Sequence, residues 1–297
     1  MNYRKDLEKA KEYIENNLQN QLTLAHIAQH VGYSVFHLSR IFYHVYQETV
    51  MDYVRGRRLK RAIYEMRKGK SITEAAFNYG FSSASGFSKA FKKNVGVTPS
   101  TYLKTDLVEQ MNVIESKKII GKEDLNKMVR FQWRPEFHVL GFTTEQISRQ
   151  DAYTFDYVAN WDNVTHDEPE AYLYQKLNPK THGEIGIFIH DETGGGEYLI
   201  GLPVENYDLA EEKMTRVFIP ESLYAVFTTI PTDELTSPGS FANTIRQTWQ
   251  SIFLNWFENS VFEYDATKQD FEWYDERCHW DTDAVMEIWI PVKEIGS

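Results

Sequence analysis

The chain has 297 residues, of which 42% are apolar, and its formal net charge is −11 at neutral pH. A single cysteine excludes a disulfide framework within one chain, and we expect a reducing, cytoplasmic setting. No apolar run reaches the roughly 18 residues that a membrane span needs, and the charged N-terminus lacks the pattern of a signal peptide. The length predicts about two domains.

The charge is divided unevenly along the chain. Residues 1–105 contain 17 Lys and Arg against 8 Asp and Glu, a net charge of +9. Residues 106–297 contain 15 Lys and Arg against 35 Asp and Glu, a net charge of −20, and they hold all seven tryptophans. This asymmetry predicts a basic domain that binds nucleic acid, joined to an acidic, aromatic-rich domain with a different role.

The first part of the chain, residues 1–105, is predicted to be helical almost throughout. Gly32 interrupts a short amphipathic helix, and Ser34 follows it as a residue type that caps helices. We expect the next helix over Val35–Tyr46, and then a long helix near Val50–Arg67 that stops at Gly69.

The helical pattern then repeats. The turn Val31-Gly32-Tyr33-Ser34 returns as Tyr79-Gly80-Phe81-Ser82 at an offset of 48 positions, whereas residues 38–42 return as residues 87–91 at an offset of 49. The later copy therefore has one extra residue after its turn. The repeats predict two helix-turn-helix units, the second with a reading helix at about Ser83–Lys93. With a stiff helix between them, two such units can enter successive major grooves of duplex DNA.

Residues 106–129 are predicted to be a linker, and residues 130–297 are predicted to form an α+β domain of two β-α-β-β repeats. The first repeat has a strand at Val139–Thr144, a helical segment around Trp161, and a hairpin with Gly194-Gly195-Gly196 at its tip. The second repeat consists of a strand at Tyr224–Ile230, a helix at Phe241–Phe257, and a hairpin of Phe271–Asp275 with Val285–Val292. Two facing repeats would leave a cleft for a small molecule. We thus expect a multidomain protein, with an all-α double helix-turn-helix domain followed by this α+β domain.

The repeated turns and the closing stretch Gly96-Val97-Thr98-Pro99-Ser100 resemble the DNA-binding domain of AraC/XylS-family regulators. The resemblance covers about residues 5–104 and implies a transcription regulator that binds double-stranded DNA. It places the first base-reading positions at Phe36, Ser39 and Arg40 and the second at Ala84, Ser85 and Lys89. Because Ala84 and Ser85 are small, we expect the second helix to contact mainly the backbone. Phosphate contacts are expected from the basic residues Lys92, Lys93, Arg55, Arg57, Arg58, Lys60 and Arg61.

Residues 130–293 resemble a gyrase-inhibitor-like effector-binding domain. The supporting stretches are Tyr224-Ala225-Val226-Phe227, the Trp249–Trp256 helix, Phe271-Glu272-Trp273-Tyr274 and Glu287-Ile288-Trp289-Ile290-Pro291. The resemblance implies a small-molecule effector, often a lipophilic cation, held by a glutamate in an aromatic cleft. A carboxylate among aromatic rings suits a bulky cation. The predicted ligand-binding residues are Glu272, Tyr274, Tyr224, Trp249 and Trp289.

Three functions stay open at this stage. The first is a ligand-responsive transcription activator with RNA polymerase as a partner. The second is a DNA-binding regulator whose acidic domain recruits a protein without a ligand, and the third is a small-molecule hydrolase that uses Glu272 with Tyr274. Because the sequence shows no nucleophile or metal set, we expect no enzyme activity, no cofactor and no metal, and we expect no membrane partner. Two reading helices in one chain make a monomer sufficient, and a weak dimer stays open.

Overall fold

The computed structural model describes residues 2–104, 120–143, 169–180, 182–190, 196–258, 260–279 and 282–295. Residues 4–104 belong to one compact unit, and the described residues from 120 onward belong to a second one. The predicted helix around Trp161 lies outside the described residues, as do Gly194 and Gly195 of the predicted hairpin tip. Within the described ranges, no helix is both long enough and apolar enough to cross a membrane.

The first unit is helical over the residues that the structure describes. Its elements are α1 Tyr3–Asn16, α2 Leu24–Val31, α3 Val35–Tyr46, α4 Val50–Arg67, α5 Ile72–Asn78, α6 Ala84–Val95 and α7 Pro99–Lys104. The predicted bounds of α3 and α4 are confirmed. Helices α2 and α3 form the first helix-turn-helix pair, α5 and α6 form the second, and α4 is the long helix between them.

Each helix-turn-helix pair has a glycine turn followed by a capped helix start. Gly32 and Gly80 have φ angles of 77° and 76°, a left-handed backbone that glycine adopts without steric cost. The hydroxyl groups of Ser34 and Ser83 each accept a hydrogen bond from the backbone amide three residues further on, at 3.1 and 3.0 Å. The glycines are 48 positions apart and the caps are 49 apart, so Ser82 is the extra residue in the second copy.

Three arginines of α4 bind α1 and the segment that follows it. Arg57 and Arg61 both bind the carboxylate of Glu15, with Nη2 of each arginine 3.0 and 3.1 Å from Oε2. Burial acts to raise the pKa of Glu15, but the two arginines outweigh it and the pKa lies below its ordinary value. Arg58 donates to the carbonyl of Leu18 at 3.0 Å. These three arginines, which are predicted to contact phosphate, also hold the helical unit together.

The second unit joins helices to a large sheet. Its helices are α8 Lys122–Met128, α9 Pro169–Leu177 and α10 Ser240–Ser251, and α10 continues as a π-helical turn over Ile252–Trp256. The strands are β1 Val129–Arg134, β2 Phe137–Thr143, β3 Glu184–His190, β4 Gly196–Val204, β5 Thr215–Ile219, β6 Ser222–Thr228, β7 Phe262–Tyr264, β8 Phe271–Tyr274 and β9 Glu287–Glu294. Helix α8 falls within the predicted linker, yet its Leu125 is fully buried in this unit.

The strands form one antiparallel sheet in the order β1-β6-β9-β8-β3-β4-β2-β5, and β7 pairs with β9. The two predicted β-α-β-β repeats are present as β2-α9-β3-β4 and β6-α10-β8-β9. They meet where β3 pairs with β8, between Glu184–Gly186 and Glu272–Tyr274. The two repeats therefore share one continuous sheet. They do not face each other across a cleft, and the surfaces that they offer are the two faces of that sheet.

Successive side chains in a strand point to opposite faces of a sheet. Helices α9 and α10 both pack on one face, which we call the helix face and which carries Leu140, Leu202, Phe227 and Glu272. The other face, which we call the aromatic face, carries Phe137, Tyr224, Phe271, Trp273 and Trp289. On this face the ring of Phe271 stacks on that of Trp289 with their centroids 5.3 Å apart.

Candidate nucleic-acid interface and ligand face

The side of α3 that faces away from the core carries three candidate base-reading residues. Phe36 is 47% exposed, and Arg40 and Tyr43 are half-buried at positions four and seven residues further on, so the three share one side of the helix. Ser39 is only 3% exposed, because it points toward the packed interior. The predicted base contact of Ser39 is corrected, since so deeply buried a side chain cannot reach a base edge. Tyr43, which the sequence analysis did not name, is a further candidate on this side, because its spacing of seven residues from Phe36 is two helical turns.

Helix α6 has an equivalent side, whose residues lie 49 positions after those of α3. It consists of Ser85, Lys89 and Lys92, all of them exposed. Lys93 is exposed next to them, and Ala84 is half-buried at the start of the helix. The α6 side therefore offers small and cationic groups, whereas the α3 side offers two aromatic rings and an arginine. Cationic side chains are typical of phosphate contact, and arginine and aromatic side chains are typical of base contact.

The predicted ligand carboxylate, Glu272, lies on the helix face in a closed hydrogen-bond network. It is 5% exposed, and one oxygen accepts from Nε1 of Trp249 at 2.7 Å. The other oxygen accepts from the hydroxyl groups of Tyr198 and Tyr274, the latter at 2.9 Å. Burial, followed by the charge of Glu272, raises the pKa of both tyrosines, so they remain donors. Gly186 leaves room for this network, because a Cβ there would lie 1.8 Å from the hydroxyl oxygen of Tyr198.

The five predicted ligand-binding residues do not form one site. Glu272, Tyr274 and Trp249 meet on the helix face, while Tyr224 and Trp289 lie on the aromatic face. The register of β8 against β9 is the reason, because it pairs Trp289 with the residue before Glu272. The sheet separates the two groups, and protein donors occupy both oxygens of Glu272. The predicted role of Glu272 is therefore corrected to that of a core polar residue.

A cation of the protein itself lies on the aromatic face. The guanidinium carbon of Arg134, the last residue of β1, is 4.3 Å from the ring centroid of Phe137 and 4.9 Å from that of Trp289. It is 5.0 Å from the centroid of Trp273 and 5.5 Å from that of Phe271. All four distances fall within the range of a cation–π interaction. Burial lowers the pKa of Arg134, yet arginine stays protonated in proteins. We call these four rings the Arg134 cage.

A buried carboxylate lies beside the Arg134 cage. Glu287 accepts hydrogen bonds from Nη2 of Arg130 and Nη2 of Arg277, each at 2.9 Å, and from Nε1 of Trp289 at 3.1 Å. Burial acts to raise the pKa of Glu287, but the two arginines outweigh it and the pKa lies below its ordinary value. Arg277 also binds Asp275 at 2.7 Å. The cage thus adjoins an ionised network in which two carboxylates balance two arginines.

Comparisons with known proteins match the two units separately. A helix-turn-helix domain family matches residues 27–105, and a family described as integron-associated effector binding protein matches residues 130–292. The chain is similar to the HTH-type transcriptional activator AarP of Providencia stuartii, with 38% identity over 95 residues that span 32% of this chain and 70% of AarP. It is also similar to the transposon Tn10 TetD protein of Escherichia coli, with 39% identity over 33% of this chain and 71% of that protein.

Among solved structures, the chain resembles SAV2435 bound to tetraphenylphosphonium. The identity is 20%, the TM-score is 0.42, and the match covers 56% of this chain and 94% of that one. The helical unit and the sheet unit together define a DNA-binding transcription regulator with an effector-binding domain. The chain belongs to the AraC/XylS family of transcription regulators, and its second unit belongs to the family of integron-associated effector binding proteins.

Proposed function

We propose that α3 reads base edges in one major groove while α6 anchors the protein in the next groove. Phe36, Arg40 and Tyr43 support base reading, because arginine forms paired hydrogen bonds with guanine and an aromatic ring packs on the thymine methyl group. The small and cationic side chains of α6 support backbone contact: Ala84, Ser85, Lys89, Lys92 and Lys93. Because both helices belong to one chain, a monomer suffices for two adjacent grooves.

Selection of binding sites from a random duplex pool tests this proposal. We expect two blocks of base preference with centres about one helical turn apart, and we expect the sharper preference in the block that α3 contacts. Repeating the selection with Arg40→Ala identifies that block, because its preference is the one that weakens. A single block in the wild type, or a preference that Arg40→Ala leaves unchanged, would contradict the assignment.

We propose that the regulator is an activator and that RNA polymerase is its partner. Support comes from the similarity to AarP, which is named as a transcriptional activator and of which the chain covers 70%. In vitro transcription from a promoter that carries the selected site is the test. We expect added protein to raise the amount of transcript, and a fall in transcript would instead identify a repressor.

For the second unit, we propose a lipophilic cation as the effector, bound on the aromatic face in place of Arg134. The observation that carries this proposal is the Arg134 cage, in which aromatic rings already surround a positive charge at 4.3–5.5 Å. When Arg134 leaves, the neighbouring charges of Arg130, Arg277, Asp275 and Glu287 balance one another. The net charge of −20 over residues 106–297 also favours the approach of cations.

Tetraphenylphosphonium is a suitable probe, with binding measured by calorimetry on the full chain. We expect Trp273→Ala to weaken its binding by about 2- to 30-fold, the equivalent of about 0.5–2 kcal/mol for one cation–π partner. Trp133→Ala is the matched control, because Trp133 is 59% exposed and, as the residue before Arg134 in β1, points to the opposite face of the sheet. Absence of binding by the wild type, or equal losses in the two variants, would overturn the proposal.

The other two functions receive less support from the geometry. A hydrolase would use Glu272 as an acid or base, but Tyr198, Trp249 and Tyr274 occupy both of its oxygens. The other hypothesis, a domain that recruits a protein without a ligand, does not explain why four aromatic rings surround Arg134. We therefore propose ligand-responsive regulation as the function of the whole chain.

A further inference from the structure

Two histidines and a glutamate meet at one end of the β3–β8 pair. His182 precedes β3, Glu184 is the first residue of β3, and His279 ends the short 3-10 helix Glu276–His279 that follows β8. The pairing of Glu184 with Tyr274 brings the end of β8 to the start of β3. One ligand atom from each of the three side chains lies within 4.8 Å of the other two.

These three residue types are a donor set for a transition metal. Imidazole nitrogen and carboxylate oxygen both bind Zn²⁺, at about 2.0–2.2 Å, which places tetrahedral ligand atoms about 3.4 Å apart. His182 and His279 are exposed, so their rings can move inward by the small distance that this geometry requires. Their ring planes are nearly perpendicular, at 88°, with centroids 5.0 Å apart.

The surroundings orient two of the three donors. The Tyr174 hydroxyl donates to Oε1 of Glu184, and the Tyr174 ring stacks on His182 with their centroids 5.3 Å apart. The backbone amide of Gly183 donates to the Tyr174 hydroxyl at 3.2 Å, which fixes the tyrosine against the same segment. Metal ligands in proteins are typically held in this way by a second layer of hydrogen bonds.

Burial of Glu184 is compatible with a bound cation, because a carboxylate away from water attracts a cation more strongly than an exposed one does. Glu184 is 1% exposed, and burying an ionised carboxylate is costly unless positive charge compensates it. His182 Nε2 lies 3.4 Å from Oε1 and is neutral when it binds a metal, so the metal itself would supply the charge.

We propose that His182, Glu184 and His279 bind one Zn²⁺ ion, with the fourth position open to water. The bound ion would tie the start of β3 to the segment after β8, which also carries Arg277. Because Arg277 binds Glu287 beside the Arg134 cage, metal binding would stabilise one wall of the ligand face. This proposal is independent of the nature of the effector.

Titration of the chelator-treated full chain with Co²⁺ tests it, since tetrahedral Co²⁺ absorbs visible light and Zn²⁺ then displaces it. We expect one equivalent to bind with a tetrahedral spectrum in the wild type, and we expect His279→Ala and Glu184→Gln to lose that spectrum. Tyr174→Phe removes only the orienting hydroxyl and should weaken affinity by about 10- to 100-fold.

His26→Ala is the control, because His26 is an exposed histidine of α2 outside the cluster. It should keep the tetrahedral spectrum and the affinity of the wild type. Circular dichroism establishes that each variant is folded, and the exposed His279 is the least disruptive site to change. An unchanged spectrum and affinity in His279→Ala, or absence of a tetrahedral spectrum in the wild type, would overturn the proposal.

Discussion

Replacing Arg134 by glutamine should make the second unit bind lipophilic cations more tightly. In the wild type, the Arg134 guanidinium occupies the space between four aromatic rings, and an incoming cation must first displace it. A cation–π site of this kind is worth about 1–2 kcal/mol when it is partly desolvated. Removing the internal competitor should therefore strengthen tetraphenylphosphonium binding by about 5- to 30-fold.

Calorimetric titration of the full chain measures this change, with Arg216→Gln as the matched control. Arg216 is exposed on β5 and pairs with Leu140, which places it on the helix face, so its replacement removes the same charge elsewhere. We expect the control to retain wild-type affinity. If Arg134→Gln leaves cation binding unchanged, the cation does not bind in the Arg134 cage. If it instead abolishes binding of an aromatic carboxylate, Arg134 is a ligand for anions and the proposed effector class is wrong.

Three further predictions concern the DNA-reading helix and the stability of the two units. Arg40→Ala should weaken binding to the selected duplex by about 1–3 kcal/mol in fluorescence anisotropy, and an equal loss on random duplex would mark a phosphate contact. Burial, followed by the charge of Asp52, raises the pKa of Glu48 to about 7, so the folded protein holds this proton more tightly than the unfolded chain does. The free energy of unfolding should therefore fall as the pH rises from 4.5 to about 7, and Glu48→Gln should remove about 1–2 kcal/mol of that fall in urea unfolding. A Glu48→Gln variant that keeps the full wild-type fall in stability with pH would contradict this reasoning. Gly186→Ala should destabilise the second unit by about 2–4 kcal/mol in thermal unfolding, because the new Cβ displaces the hydroxyl that binds Glu272. Gly56→Ala, where a Cβ meets no atom within 4 Å, should cause no loss, and equal melting temperatures in the two variants would contradict this reasoning.

The helical unit was predictable because its signals are local. The turn glycine and the capping serine of each pair specify a helix start within a few residues, and the start of α3 followed from them, while Gly69 marked the end of α4. The misassignment of Ser39 shows what spacing alone misses. One residue along a helix is a rotation of about 100°, so Ser39 stays near the core side that Leu38 defines, whereas Arg40 does not.

The ligand face was less predictable because it depends on strand pairing. The alternation of side chains along β8 correctly predicts that Glu272 and Trp273 point to opposite faces of the sheet, because this pattern involves only neighbouring residues. The face on which Trp289 lies depends on the register between β8 and β9, which no local pattern specifies. Arg134 meets Trp273 from a position far away in the sequence, and only the completed sheet brings the two together.

The central claim is that a lipophilic cation bound in the Arg134 cage controls a DNA-bound regulator. Transcription from a promoter that carries the selected site, measured with and without tetraphenylphosphonium, tests it most directly. We predict that the cation changes the amount of transcript made with the wild-type protein, and that Trp273→Ala requires a higher cation concentration for the same change. Equal transcription with and without the cation, under conditions where calorimetry shows it bound to the wild type, would contradict the claim.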